Sequence, residues 1–323
     1  MEIKLLNKKE IFGINRLLSD YRFNEFRAYR ALDKDKLKNY LFYKINNVLK
    51  DKNSKVAIVR KSGEIMGLAT LEFLPWDTKH FGIKMAKIGY LMANGDYGQS
   101  LDTKNKLLSY LFTLCKKERI VHLSCRIDIN DISSIHALEM NGFRLMDTLV
   151  TFAFIRNKHK IPNIRTIYPV RKCKKSDIPY LMDIARKSFV DDRFHLDPNI
   201  PKEKADSLYS KWVRNSWLRK ETIFVATRKN QPIGFLTYRL YSDLVKIVNF
   251  KIMGQGLMAV KFEAKGALIS LMQATFRDVN LHYDCVEYDT RITNYEVLQI
   301  CQRLGLDFVR AKYTFHKCLN ERV

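Results

Sequence analysis

The chain has 323 residues, with 57 Lys and Arg against 34 Asp and Glu, a formal net charge of +23. That length favours two domains, and a hydrophobic fraction of 46% excludes wholesale disorder. No apolar run reaches the ~18–20 residues of a membrane span, and the N-terminal MEIKLLNKKEIFGINRLL has no signal-peptide core, so a cytoplasmic protein is expected.

The positive charge is scattered in short clusters: RKSGE, KHFGIK, CKKER, RKCKKSD and WLRKE. There is no polybasic tail and no aromatic RNP-type strand, so nucleic acid is not the expected partner. Phosphorylated small ligands suit such a surface, although a merely solvated Lys-rich surface has the same composition. The six cysteines form no CxxC and read as free core thiols. The seven histidines form no HExxH, so no metal site is expected.

In chain order, VAIVRKSGEIMGLATLEF reads as two strands joined by a tight polar turn. LPWDTKHFG follows as a strand-ending loop. In ANGDYGQSLDTKNKLLSYLF, Ser100, Asp102 and Thr103 are expected just before a helix. HLSCRIDINDISSIHALEMNGFRLMDTLVTFAF reads as strand, helix and strand, with Asp131 as N-cap and Gly142 as the left-handed stop. Residues 156–169, polar with two prolines, read as a linker, after which Ser176 or Asp177 caps a helix with Pro179 in its first turn.

The pattern then repeats. IFVATRKNQPIGFLTYRL is a second hairpin, with Gly234 placed 167 residues after Gly67. Leu257–Val260 is expected as a strand, Lys265-Gly266-Ala267 as a turn, and Leu268 onward as an amphipathic helix. Asn294 and Gly305 bracket the next helix, each 163 residues after Asp131 and Gly142. The order of elements is mixed α/β in both halves, and no GxGxxG follows a first strand, which excludes a Rossmann fold. The expected domains are 1–160 and 161–323.

These segments resemble a tandem GNAT (Gcn5-related N-acetyltransferase) protein. The likeness is to enzymes that acylate dTDP-linked amino sugars, such as dTDP-fucosamine acetyltransferases and hydroxybutyryl transferases. It rests on LPWDTKHFG (74–82), GFRLMDTLVTF (142–152), the stretch 188–216 and RAKYTFHKCL (310–319). The resemblance implies two GNAT-like domains and an N-acyltransferase. Its co-substrate is acyl-CoA, no cofactor is tightly bound, and the acceptor is a dTDP-amino-dideoxysugar. The acyl group, acetyl or 3-hydroxybutyryl, passes directly to the amine. Two other functions share such a duplicated fold: an aminoacyl-tRNA-dependent transferase and a non-catalytic binding scaffold.

Within this resemblance, Lys265, Gly266 and Ala267 are the expected pyrophosphate turn, where backbone N–H groups at a helix start attract phosphate. Met258, Val260 and Asn294 are the expected thioester and pantetheine contacts. The family's thiolate-protonating Tyr would fall at Cys301, so that residue is either a weak acid or a core residue. Asp102 near the first domain's helix start repels phosphate, so that domain is expected to lack a CoA site. On the acceptor side Arg193 suits a diphosphate, and His195 with Asp197 suits proton removal from the amine. Tyr209 and Trp212, and Trp76, Asp77 and Phe81, complete the expected acceptor contacts, with core packing as the plain alternative for the aromatics.

Overall fold

The computed structural model describes residues 1–264, 266–278 and 282–319. The chain divides into two compact units, Met1–Thr148 with Arg310–Val323, and Leu149–Val309. The sequence boundary at 160/161 is therefore corrected twice. The cut falls inside a strand, and the last strand belongs to the first unit. Both strands carry a similar apolar pattern, and the choice of sheet is made by hydrogen-bonding partners that no local pattern encodes.

In the first unit the elements are β1 (Glu2–Leu5), α1 (Asn15–Asp20), α2 (Lys34–Lys50), β2 (Ser54–Lys61), β3 (Glu64–Phe73), α3 (Pro75–Phe81), β4 (Met85–Ala93), α4 (Tyr97–Glu118), β5 (His122–Asp128) and α5 (Ile132–Met140). β6 (Arg144–Ile155) leads into the second unit. That unit continues with β7 (Val170–Lys172), α6 (Ile178–Ser188), α7 (Lys202–Leu218), β8 (Thr222–Arg228), β9 (Gln231–Leu240), α8 (Ser242–Val248), β10 (Ile252–Val260), α9 (Ala267–Arg277), β11 (Cys285–Arg291) and α10 (Tyr295–Arg303). β12 (Asp307–Cys318) closes the chain's secondary structure.

The first unit's sheet runs β1-β2-β3-β4-β5-β12, antiparallel except for the parallel β4–β5 pair. Alternation along β2 sorts its side chains between two cores. Ala57 and Val59 face the α4–α5 side with Leu107, Leu111 and Leu138. Val56 and Ile58 face the α1–α2 side with Leu17, Leu41 and Ile45. Both faces are covered, which explains the near-continuous apolar run of this strand.

The second unit's sheet runs β6-β11-β10-β9-β8-β7, with β10–β11 as its parallel pair. Leu236, Tyr238, Leu271, Phe276 and Tyr288 form its core with α9 and α10. α6 packs against α7, β9 and β10.

The expected caps are in place. Asp131 and Asn294 accept from the backbone N–H groups of Ser134 and Val297, and Gly142 and Gly305 adopt φ of 73° and 68°. Two local expectations fail. Residues 75–81 form α3, not a loop, because Pro75 sits at the first helical position and Gly82 ends the turn at φ 78°. Ser100, Asp102 and Thr103 lie within α4, whose N-cap is Asp96, with its side chain accepting from the Gln99 N–H.

Candidate functional site

Each unit opens at the same place. β4 and β5 pair from Met85↔His122 to Ile88↔Cys125 and then part, although both strands continue. β10 and β11 pair only at Ile252↔Cys285 to Gly254↔Glu287. On their other sides, β4 and β10 each carry a bulge. The register slips opposite Thr70 in one unit and opposite Thr237 in the other. The Tyr90 N–H donates to Thr70 Oγ1 at 3.0 Å, and the Leu257 N–H to Thr237 Oγ1 at 2.7 Å. A Cβ on Gly89 would fall 1.9 Å from Glu72 Oε1, and one on Gly256 would fall 2.5 Å from Thr237 Oγ1. A side chain at either position would have to displace these neighbouring side-chain oxygens, so glycine suits the bulge at both. Thr70, Gly89, Thr237 and Gly256 keep the 167-residue repeat, a signal that could have marked them in the sequence.

In the second unit the open edge of β10 is usable. The Lys261 N–H donates to Ile233 O at 2.8 Å, so residue 261 faces β9. Ser188 Oγ donates to Val260 O at 3.4 Å from the opposite side. Strand alternation then turns the backbone groups of Met258 and Val260 toward the open side. Beyond Val260 a 3₁₀ turn (Phe262–Ala264) leads to α9. Gly266, the N-cap, has no side chain to cap with, so among the described residues no side-chain cap closes the start of α9. A cavity of about 530 Å³ lies here, lined by Asp183, Ile184, Lys187 and Ser188 of α6, Val260 to Glu263, Leu268, and Glu296 and Ile300 of α10, with Lys187 Nζ paired to Asp183 Oδ2 at 2.6 Å. Phe262 stands 85% exposed at its edge. The sequence reading did not single out Lys187, Lys261, Phe262 or Glu296.

The expected turn residues are distributed around this point. Lys265 lies outside the described residues, and Ala267 is the first helical residue and is buried. The Cα face of Gly266 is turned to the linker, with a hypothetical Cβ only 2.8 Å from Ile167 Cδ1. Its smallness thus serves packing against Ile167. Asn294 uses its side-chain oxygen to cap α10. Cys301 is fully buried in the core, and burial pushes its thiol up to about 12. Such a thiol is a poor proton donor, and the core-packing alternative is the one the geometry favours.

The residues expected around the acceptor line none of the described cavities. His195 has both ring nitrogens against carboxylates, Nδ1 2.7 Å from Asp192 Oδ2 and Nε2 3.1 Å from Asp206 Oδ1. Neither nitrogen is left to take a proton from an amine, which corrects the expected role. Asp197 is buried and accepts from the Asn199 N–H and Nδ2, a local turn. The Arg193 guanidinium lies 4.2 Å from the centre of the Phe194 ring. Tyr209 stacks on Phe189 and meets Trp212 edge-on, so this pair builds the α6–α7 packing. In the first unit Trp76 stacks on His80, Phe81 is buried, and Asp77 lies in the first turn of α3.

The first unit's cleft differs in its charge. Asp96, not the expected Asp102, stands at the start of α4 and caps it. Asp102 is ion-paired with Lys106 on the helix surface. Lys104 is buried and donates to Asp131 Oδ1 at 2.7 Å and Ser133 Oγ at 2.8 Å. Burial pushes the Lys104 ammonium down, and Asp131 opposes that shift.

Each unit also ties its first-helix loop to the end of its parallel strand. Arg27 Nη1 binds Asp128 Oδ2 at 2.6 Å. In the second unit the charges are exchanged, with Arg291 Nη2 on Asp191 Oδ1 at 2.6 Å. Asp128 and Arg291 are 163 residues apart, the same repeat as the caps.

A mixed sheet that parts at one parallel pair, bulges beside it and leads into a helix start, built twice in one chain, is the tandem GNAT fold. The structure aligns with a GCN5-related N-acetyltransferase from Sphaerobacter thermophilus at a TM-score of 0.64 and 13% identity, covering 98% of this chain and 95% of the other. It aligns with a tandem GNAT protein from the clavulanic acid biosynthesis pathway at a TM-score of 0.55 and 13% identity, covering 98% of each. In sequence the chain is 21% identical over 262 residues to the spore coat polysaccharide biosynthesis protein SpsD of Bacillus subtilis (strain 168), spanning 79% of this chain and 85% of that protein. No protein-family model matches. Among the described residues, no helix is long and apolar enough to cross a membrane.

Proposed function

We propose that the chain is an acyl-CoA-dependent N-acyltransferase that acts on the amine of a nucleotide-linked amino sugar, a dTDP-amino-dideoxysugar in the first instance, during polysaccharide assembly. The observation that carries this reading is the second unit's open β10 edge, which ends on an uncapped helix start above a cavity of about 530 Å³. A thioester donor needs such a surface. Strand amides align the pantetheine, and the helix start takes the pyrophosphate with Lys261 nearby. The exposed ring of Phe262 offers a stacking face for adenine. The coat-polysaccharide relative supports a sugar acceptor.

The reaction is a direct displacement. The neutral amine attacks the thioester carbon, the C–S bond breaks, and the amine's proton ends on the departing thiolate as CoA thiol. A backbone N–H of Met258 or Val260 steadies the developing oxyanion. With His195 held between two carboxylates and Cys301 buried, proton transfer needs no protein acid in this reading. Thiol release from acetyl-CoA or 3-hydroxybutyryl-CoA with dTDP-amino-dideoxysugars tests it. Lys261→Glu should raise the acyl-CoA KM about tenfold or more and leave the folding unchanged. Absence of both acyl-CoA binding and thiol release from the folded protein would refute the reading and favour a binding scaffold.

A further inference from the structure

The two units open their parallel pairs at different points. In the first unit the β4–β5 pair extends through Ile88↔Cys125. On the 167-residue repeat Ile88 corresponds to Gln255, and in the second unit the pairing ends one residue before it, at Gly254↔Glu287. Ile88 is only 2% exposed and belongs to its unit's core. The second unit places a carboxamide at the matching point, where its fork begins.

On β9, Tyr238 stands opposite Gln255 and Leu236 opposite Met258, and both belong to the core beneath α9 and α10. Opposite residues share a face, so the Gln255 side chain lies on the same face as that of Met258. Gln255 as a whole is half-buried, but its Oε1 is closed off from solvent and accepts no hydrogen bond among the described residues. The hydroxyls beside it are already engaged. Tyr238 and Tyr288 bond each other at 2.9 Å, and Thr275 Oγ1 meets the Tyr288 hydroxyl at 2.6 Å. A buried acceptor without a donor destabilises the fold, and an apolar side chain there, as in the first unit, removes that cost. The oxygen is therefore suited to a donor that arrives with a ligand. A carboxamide carries no charge and cannot offset a buried cation, so the fitting donor is a neutral N–H or O–H.

Along β10, back from the helix start, the order is Val260, Met258 and then Gln255. The bulge takes up one residue, so Gln255 is two strand steps, about 7 Å, from Met258. With the thioester oxygen at Met258, the reacting carbon falls within reach of a glutamine side chain from position 255.

We propose that Gln255 is a catalytic residue of the second unit, whose Oε1 accepts one N–H of the neutral acceptor amine and so aims the nitrogen lone pair at the thioester carbon. The proposal rests on the acyl transfer given above and adds the group that orients the nucleophile. Nitrogen bonds to carbon, the C–S bond breaks, and sulfur takes the proton that nitrogen loses. Gln255 holds the remaining N–H, which becomes that of the product amide, and itself neither gains nor loses a proton.

The test is Gln255→Met, of similar volume but without the oxygen, or Gln255→Ile, as in the first unit, should the first fail to fold. With acetyl-CoA and dTDP-4-amino-4,6-dideoxyglucose, kcat should fall tenfold or more while the acetyl-CoA KM stays within about twofold. Slow hydrolysis of acetyl-CoA without the sugar should stay within about twofold, because no amine takes part. The melting temperature without any substrate should be unchanged or higher, which a structural role for the oxygen does not allow. A kcat within about twofold of the parent chain would overturn the proposal, as would equal losses of transfer and hydrolysis, or a lower melting temperature. So would a collapse of the kcat/KM ratio of 3-hydroxybutyryl-CoA to butyryl-CoA, because the oxygen would then serve a hydroxyl of the acyl chain. A parent chain that releases no thiol from any of these donors refutes the function itself, a result distinct from turnover that Gln255→Met leaves unchanged.

Discussion

Lys104 and Asp131 form an ion pair in which each side chain is only 2% exposed. Removing one partner from such a pair strands the other charge, at a cost of about 3–5 kcal/mol. Lys104→Met leaves the Asp131 carboxylate with Ser133, Ser134 and the α5 cap, which keeps the loss toward the lower end. Asp131→Asn preserves the cap, as Asn294 does at the matching place in the second unit, but leaves a buried ammonium. For a unit of this size each kcal/mol is worth about 2–4 °C, so each single change should lower its melting temperature by roughly 6–20 °C. The double variant has no charge left to strand and should recover about 2 kcal/mol or more relative to the sum of the singles. Urea unfolding followed by Trp76 fluorescence, with Trp212 and Trp217 replaced by Phe, reports on the first unit alone. Losses that add within about 0.5 kcal/mol would show that the two groups do not interact in the folded chain.

Cys301→Ala should keep kcat within about tenfold, since a general acid contributes about 10²–10⁴-fold and this buried thiol is pushed up to about 12; a larger loss with unchanged circular dichroism would make the thiol a participant. His195→Gln should lower the melting temperature of the second unit and leave kcat nearly unchanged, because its ring serves Asp192 and Asp206; a 10²-fold fall in kcat with rescue at high pH would restore it as the base. The Asp177 carboxyl is held below its ordinary value by a two-pronged hydrogen bond from Arg171, at 2.6 and 2.9 Å, against a smaller opposing effect of burial. Its folded value lies below the unfolded one, so its stabilisation is complete above about pH 4 and disappears as pH falls through the folded value. Asp177→Asn should cost about 2–3 kcal/mol at pH 7 and flatten the acid limb of the second unit's stability curve, read as melting temperature against pH.

Elements, caps and the duplication were legible because each is a local matter. Asp131 and Asn294 cap their helices in the described chain for the reason the spacing suggests: a short polar side chain followed by an apolar face and a glycine stop. The repeat also reaches residues the sequence reading passed over, such as Thr70 with Thr237, whose hydroxyls each take a bulge N–H. The helical form of 75–81 was hidden because a seven-residue turn has too little periodicity to distinguish it from a loop.

What the sequence by itself determined is the order of elements, where helices start and stop, and that the order is built twice. Tertiary structure alone decided which sheet each closing strand joins, because β6 and β12 satisfy their backbone groups on β11 and β5 through partners far away in the chain. It also decided the sites. A histidine looks the same in a sequence whether its nitrogens face a substrate or two carboxylates, and only folding brought Asp192 and Asp206 to His195.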